Sequence, residues 1–75
     1  HYDAVYPSYG ASDDSVGVVI LLELFRNFIF KKEPPVNPII ILFNNGEEVK
    51  LLGSLAFCRS HRWYKTIQRF MNIDS

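Results

Sequence analysis

The sequence predicts an α/β layered fold, part of a sheet-and-helix architecture, and three observations carry that expectation. Residues 16–30 form an apolar run broken only by Glu23, Arg26 and Asn27. Residues 39–43 are an unbroken β-branched and aromatic run between a Pro-rich stretch and Asn44-Asn45-Gly46. From residue 49 to about residue 61, Leu51, Leu52, Leu55, Ala56 and Cys58 recur at helical spacing.

Each element follows in order. Residues 1–14 carry Pro7, Gly10 and two Ser between aromatics, with no helical or alternating period, and read as a loop. Asp13, Asp14 or Ser15 can cap the helix that begins after them. That helix is apolar nearly all round, which predicts a buried core helix. It is too short for a bilayer span of about 20 residues, and Glu23 and Arg26 would be costly there. Residues 31–38, KKEPPVNP, are a polar break. The run 39–43 suits a strand buried on both faces of a parallel sheet. Glu47 and Glu48 then precede the second helix. WYKTIQ has no assigned type, and residues 69–73 read as a short second strand ending at Asp74. There is no internal repeat, low-complexity tract or linker.

Seventy-five residues allow one domain, and 48% hydrophobic with 21% charged residues is a globular composition. Disordered, collagen-like and disulfide-framework chains are excluded, and the single Cys58 permits no internal disulfide. A domain of this size buries only about 60% of its unfolded surface. Residues 1–75 are therefore expected to be one partial domain, opening on His1 with no signal-like segment. The net charge of zero is uneven: up to residue 48 seven acids face three cations, a net −4, and beyond it five cations face Asp74 alone, a net +4. An acidic half with paired acids is a candidate cation site.

Open α/β sheets bind ligands beyond the carboxyl ends of their strands. The two expected strands deliver Glu47 and Glu48, then Asp74, to such positions. His1 with Asp3, and Asp13 with Asp14, add further groups, and carboxylates mixed with an imidazole suit zinc. Each has an ordinary reading as well: Glu47-Glu48 as acids facing a helix dipole, Asp13-Asp14 as an N-cap pair, His1-Tyr2-Asp3 as a solvated terminus. Their conjunction points to a metal centre. Cys58 and His61 read as a buried structural thiol beside a surface His, and Tyr2, Tyr6 and Tyr9 as packing or pocket-lining rings. Arg59, Arg62, Lys65 and Arg69, interleaved with Trp63 and Tyr64, carry the alternative function of a non-catalytic interaction or nucleic-acid-binding module. Their ordinary reading is a solvated face.

The strings His1-Tyr2-Asp3-Ala4-Val5, Gly10-Ala11-Ser12-Asp13-Asp14 with Gly17, Leu42-Phe43-Asn44-Asn45-Gly46-Glu47-Glu48 with Leu51-Leu52-Gly53-Ser54, and Phe70-Met71-Asn72-Ile73-Asp74 stand in this order. Together they resemble the co-catalytic dizinc aminopeptidase family, above all its vacuolar membrane protease and endoplasmic reticulum metallopeptidase branch. The resemblance implies a zinc exopeptidase fold, incomplete in this chain, with two zinc ions. His1 and Asp74 would ligate one zinc, Asp13 would bridge both, and Glu48 would bind the second. Asp3 would orient the His1 ring, and Glu47 would be the general base toward zinc-activated water attacking a peptide carbonyl. Asp14 would be a cap or supporting group. A peptide would be the substrate, with no nucleic acid and no membrane contact through these residues. A parent in the vacuolar or endoplasmic reticulum membrane, with a lumenal catalytic domain, is implied.

Three departures from the family pattern stand out. Ser15-Val16 precede Gly17 where a Gly usually follows the Asp pair directly. Lys50 stands where a small or acidic residue is usual, close enough in sequence to perturb the carboxylates. The family's fifth ligand, a His far downstream, has no counterpart before Ser75, and His61 matches a non-ligand position. The segment is accordingly expected to be inactive alone.

Overall fold

A computed structural model describes residues 1–31 and 35–75. Its elements are a wide turn at Ala11–Ser15, helix α1 at Val16–Phe30, helix α2 at Leu52–Ser60 and a short 3-10 helix at Tyr64–Thr66. The remaining described segments are extended or turning chain. The body is flattened, 43 × 28 × 14 Å.

Helix α1 forms where the apolar run predicts it, and its start is set by acidic side-chain chemistry. Gly10 takes a left-handed conformation (φ 66°), and Ser15 N–H closes the wide turn on Gly10 O at 2.9 Å. Asp14, 1% exposed, accepts the N–H of Gly17 through Oδ1 at 3.3 Å. Asp14 is thus the capping group, while Ser15 makes no side-chain cap bond. The helix stops at Phe30, because Lys31 turns to extended geometry (ψ 136°) as its N–H reaches back to Asn27 O. Residues 32–34 of the expected Pro-rich break lie outside the described residues.

Helix α2 begins at Leu52, three residues later than its spacing predicts. Lys50 and Leu51 both adopt positive φ, 64° and 59°. Two successive left-handed residues cannot propagate a right-handed helix. They turn the chain so that Leu51 and Leu52 N–H groups bond to Glu47 O at 3.0 Å and Gly46 O at 2.9 Å. Glu47 and Glu48 therefore lie in a turn ahead of the helix, not in its first turn, and do not act as dipole-facing helix acids. The unassigned WYKTIQ segment contains the 3-10 turn, held by Thr66 Oγ1 donating to Trp63 O at 2.7 Å.

The expected α/β layering is not formed among the described residues, which contain helices and no strand. Residues 39–43 and 69–73, the two expected strands, have no regular secondary structure, and a strand exists only through its ladder partner. The nearest approach to a ladder is one bond, Tyr2 N–H to Asn44 O at 2.9 Å. The core helix is also corrected. Of α1 only Gly17 is buried, Val19 is 57% and Phe30 75% exposed, and no apolar side chain among the described residues is buried. Apolar periodicity reports what a helix can bury, and among the described residues no second layer buries the apolar side chains of α1. Phe25 and Phe28 instead face Pro35, Ile39 and Ile41 across an open apolar groove of about 250 Å³. No helix among the described residues is long and apolar enough to cross a membrane.

Candidate metal centre

The site is built where four loop segments meet beside the N-terminal ends of the two helices. His1 is its hub, with only 3% of its side chain exposed. Its Nε2 lies 3.1 Å from Asp13 Oδ1, 3.6 Å from Glu47 Oε2 and 3.5 Å from Asp74 Oδ1. Two triads follow, His1 with Glu47 and Asp74, and His1 with Asp13 and Glu48, each offering ligand atoms within 4.8 Å of one another. Five residues from distant parts of the sequence thus aim at one small volume.

Local structure explains each placement. Asp13 sits in the wide turn ahead of α1, and the Asp13-Asp14 peptide is cis. Asp14 points away from the cluster, accepting the main-chain nitrogen of His1 at 3.0 Å and capping α1. Gly17 is required there, since a Cβ would stand 2.5 Å from both Asp14 carboxylate oxygens. Glu47 and Glu48 are carried by the turn between Gly46 (φ 75°) and the left-handed pair Lys50 and Leu51. That turn is pressed against α2 at Gly53, where a Cβ would collide with the Asn45 carbonyl oxygen and the Asn44 side chain. Asn44 Nδ2 fastens it by donating to Ser54 Oγ at 3.1 Å.

Asp3 differs from its expected placement in one respect. The His1 Nδ1 lies 2.9 Å from the main-chain oxygen of Asp3 and 3.3 Å from its Oδ1. Both carboxylate oxygens also accept main-chain amides: Oδ1 accepts Glu47 N–H at 3.2 Å and Oδ2 accepts Glu48 N–H at 3.0 Å.

The electrostatics are those of crowded negative charge. Desolvation, followed by the negative charges of Asp74, Asp13 and Asp3, raises the Glu47 pKa above the ordinary carboxylate value. Glu48 is raised by desolvation and then by Asp13, Glu47, Asp3 and Asp74. For Asp3 desolvation also acts upward, but the Glu48 and Glu47 backbone bonds outweigh it and hold the carboxyl below its usual value. Glu48 Oε1 is buried with no hydrogen-bond partner among the described residues. A buried carboxylate oxygen is ordinarily satisfied, and one aimed into an imidazole-carboxylate cluster fits a cation. The donor set of one imidazole and several carboxylates suits zinc.

Other readings are changed by the structure. Cys58 is exposed, not buried, because nothing among the described residues covers its side of α2. Lys50 is exposed and makes no ion pair among the described residues, so it does not perturb the carboxylates by contact. His61 stacks on Phe57 with centroids 4.6 Å apart and accepts Trp63 N–H at Nδ1, away from the cluster. The Arg62 guanidinium lies 5.2 Å from the Trp63 ring, and Arg59, Lys65 and Arg69 are exposed. Tyr2, Tyr6 and Tyr9 are exposed, Tyr6 and Tyr9 almost fully. Sequence reasoning did not anticipate the double amide contact of Asp3 or the left-handed Lys50 and Leu51. The only trace of the tight packing between the turn and α2 was Gly53 itself.

Comparison with known proteins identifies the lineage of this arrangement. The chain is 42% identical over 74 residues to a vacuolar membrane protease of Lodderomyces elongisporus, covering 99% of the chain and 8% of that protein. It is 44% identical over 75 residues to the vacuolar membrane protease of Meyerozyma guilliermondii, again 99% of the chain and 8% of the relative. With that of Phaeosphaeria nodorum the identity is 45% over 74 residues, 99% and 8%. The chain therefore spans about 8% of the length of these curated relatives. No solved structure matches it. The model of peptidase family M28 matches residues 1–75, the whole length of the sequence, and the chain belongs to that family.

Proposed function

We propose that these residues form part of the catalytic centre of a zinc-dependent, aminopeptidase-type peptide hydrolase with an incomplete zinc exopeptidase fold. The observation that carries the reading is the convergence of the His1 imidazole with Asp13, Glu47, Glu48 and Asp74, where the buried Glu48 Oε1 has no partner among the described residues. His1, Asp13, Glu48 and Asp74 would hold two zinc ions, His1 and Asp74 on one, Glu48 on the other and Asp13 between them. When bound, the ions supply positive charge that polarises the scissile carbonyl and makes a water acidic enough to attack it.

The chain's own contribution is positional and basic. Glu47 lies 3.6 Å from His1 Nε2, at the edge of the cluster, and its carboxylate holds a proton more readily than an ordinary glutamate because of desolvation and its acidic neighbours. It takes the proton of the attacking water and delivers it to the departing amine nitrogen, completing hydrolysis of the peptide bond. Asp3, by holding the turn, keeps that carboxylate facing the cluster. The substrate is a peptide. The parent would reside in the vacuolar membrane, as the names of the relatives suggest, or that of the endoplasmic reticulum, with this domain in the lumen.

The test is Glu47→Gln in the full-length protein. Chelator-sensitive hydrolysis of unblocked peptides is expected to fall by at least about a hundredfold, the scale of a general base, while zinc content stays at two per chain. Retained turnover would remove Glu47 from the base role.

A further inference from the structure

We infer that Asp3 is a positioning residue for Glu47 and Glu48, acting through their main-chain amides as well as beside the His1 ring. The inference deepens the metallopeptidase reading and rests on it for its catalytic consequence, although the hydrogen-bond geometry stands independently of any activity.

Three observations carry it. The Asp3 carboxylate is bidentate toward two successive N–H groups, Glu47 at 3.2 Å and Glu48 at 3.0 Å, across 44 and 45 residues of chain. The His1 Nδ1 is closer to the Asp3 main-chain oxygen, 2.9 Å, than to the carboxylate, 3.3 Å. The turn presenting those amides is shaped by Gly46 (φ 75°) before them and by left-handed Lys50 and Leu51 after them, a backbone form whose consecutive amides make an anion-binding concavity.

Tyr2 N–H to Asn44 O adds a third bond between the same two segments. Residues 1–3 and 44–48 are thereby stitched together, with Asp3 contributing two of the three stitches. The distance from the His1 imidazole to the Glu47 and Glu48 carboxylates is then fixed through Asp3. If the carboxylate only oriented the ring, its two oxygens would not both need to face Glu47 and Glu48. A neutral carboxamide in its place shows the difference. Its one oxygen could still accept one main-chain amide, but its NH2 would confront the other N–H, so one stitch is lost whichever way the side chain is turned.

Asp3→Asn is therefore the test, made in the full-length protein with residue-resolved amide hydrogen exchange, zinc content and steady-state kinetics. Exchange at the Glu47 and Glu48 amides is expected to accelerate about tenfold or more, with and without zinc, consistent with loss of a hydrogen bond to a charged acceptor. The Tyr2 amide, bonded to Asn44, should keep its protection and so report that the segment remains folded. In the active enzyme kcat should fall while KM changes less than about threefold, the split expected when a catalytic group is misplaced but binding is kept. Unchanged exchange at Glu47 and Glu48, with zinc loss as the main defect, would overturn the inference in favour of a ring-orienting carboxylate. Equal loss of protection at Tyr2, Glu47 and Glu48 would overturn it in favour of a general folding role. If the exchange changes appear in a protein whose wild type hydrolyses no peptide, the metallopeptidase reading fails and the amide contact stands.

Discussion

Gly53→Ala separates two physical effects of opposite sign. Gly53 is the second residue of α2, and helix propensity alone makes Ala better than Gly by up to about 1 kcal/mol. Packing argues the other way. The added Cβ would collide with the Asn45 carbonyl oxygen and the Asn44 side chain, and the first of these is main chain, which cannot rotate aside. Overpacking of this kind costs about 1–3 kcal/mol. Pushing Asn44 away also loses its bond to Ser54 Oγ, worth about 0.5–1.5 kcal/mol. The opposing contributions leave a net destabilisation near 2 kcal/mol, about thirtyfold in the local folding equilibrium. Amide exchange at Leu52 and Leu55, whose N–H groups bond to Gly46 and Leu51, reads that equilibrium directly. Ala56→Gly, at an exposed position of the same helix, gives the propensity scale by itself. Slower exchange in Gly53→Ala, the result propensity alone predicts, would refute the packing argument.

Two further outcomes follow from the same geometry. Gly17→Ala places a Cβ 2.5 Å from both Asp14 carboxylate oxygens, so Asp14 must leave its buried position and the start of α1 should lose about 1–3 kcal/mol; an unchanged urea midpoint would show that the carboxylate moves freely. In the metal-free protein, raised Glu47 and Glu48 values mean that the folded state holds protons more tightly than the unfolded chain. Their contribution should make stability fall as pH rises from the ordinary carboxylate value through the raised ones. Asp3, whose value is lowered, opposes this, its contribution being lost as pH falls through its folded value. Urea midpoints measured across this range with chelator, and again with zinc, check the balance: zinc should abolish the fall, and a metal-free stability that rises through the window would contradict the reading.

The parts of the molecule written in local sequence were legible. Apolar density located α1 to the residue, since helix formation there needs only local contacts and an acidic cap. The motif strings also named the residues that the structure draws together around His1. What sequence could not give depends on partners or on main-chain geometry. Residues 39–43 have strand composition, but their pairing depends on another segment. The start of α2 slipped because Lys50 and Leu51, ordinary residues with no bias to positive φ, adopt left-handed conformations imposed by the turn. The thiol of Cys58 was expected to be buried on the strength of its residue type, and exposure is set by what lies opposite it.

The hub position of His1 also has a kinetic meaning. Its carboxylate partners enter at Asp13, Glu47 and Asp74, so closing the cluster joins segments separated by nearly the chain's whole length. Contacts of such high sequence separation incur their loop-closure entropy before they return any stabilisation. The two helices can form early from neighbouring residues, whereas the cluster can close only once the intervening chain is in place. Cation affinity at His1 would then report long-range assembly, and a variant that retained its helical signal while losing that affinity would have stopped one step short of the native arrangement.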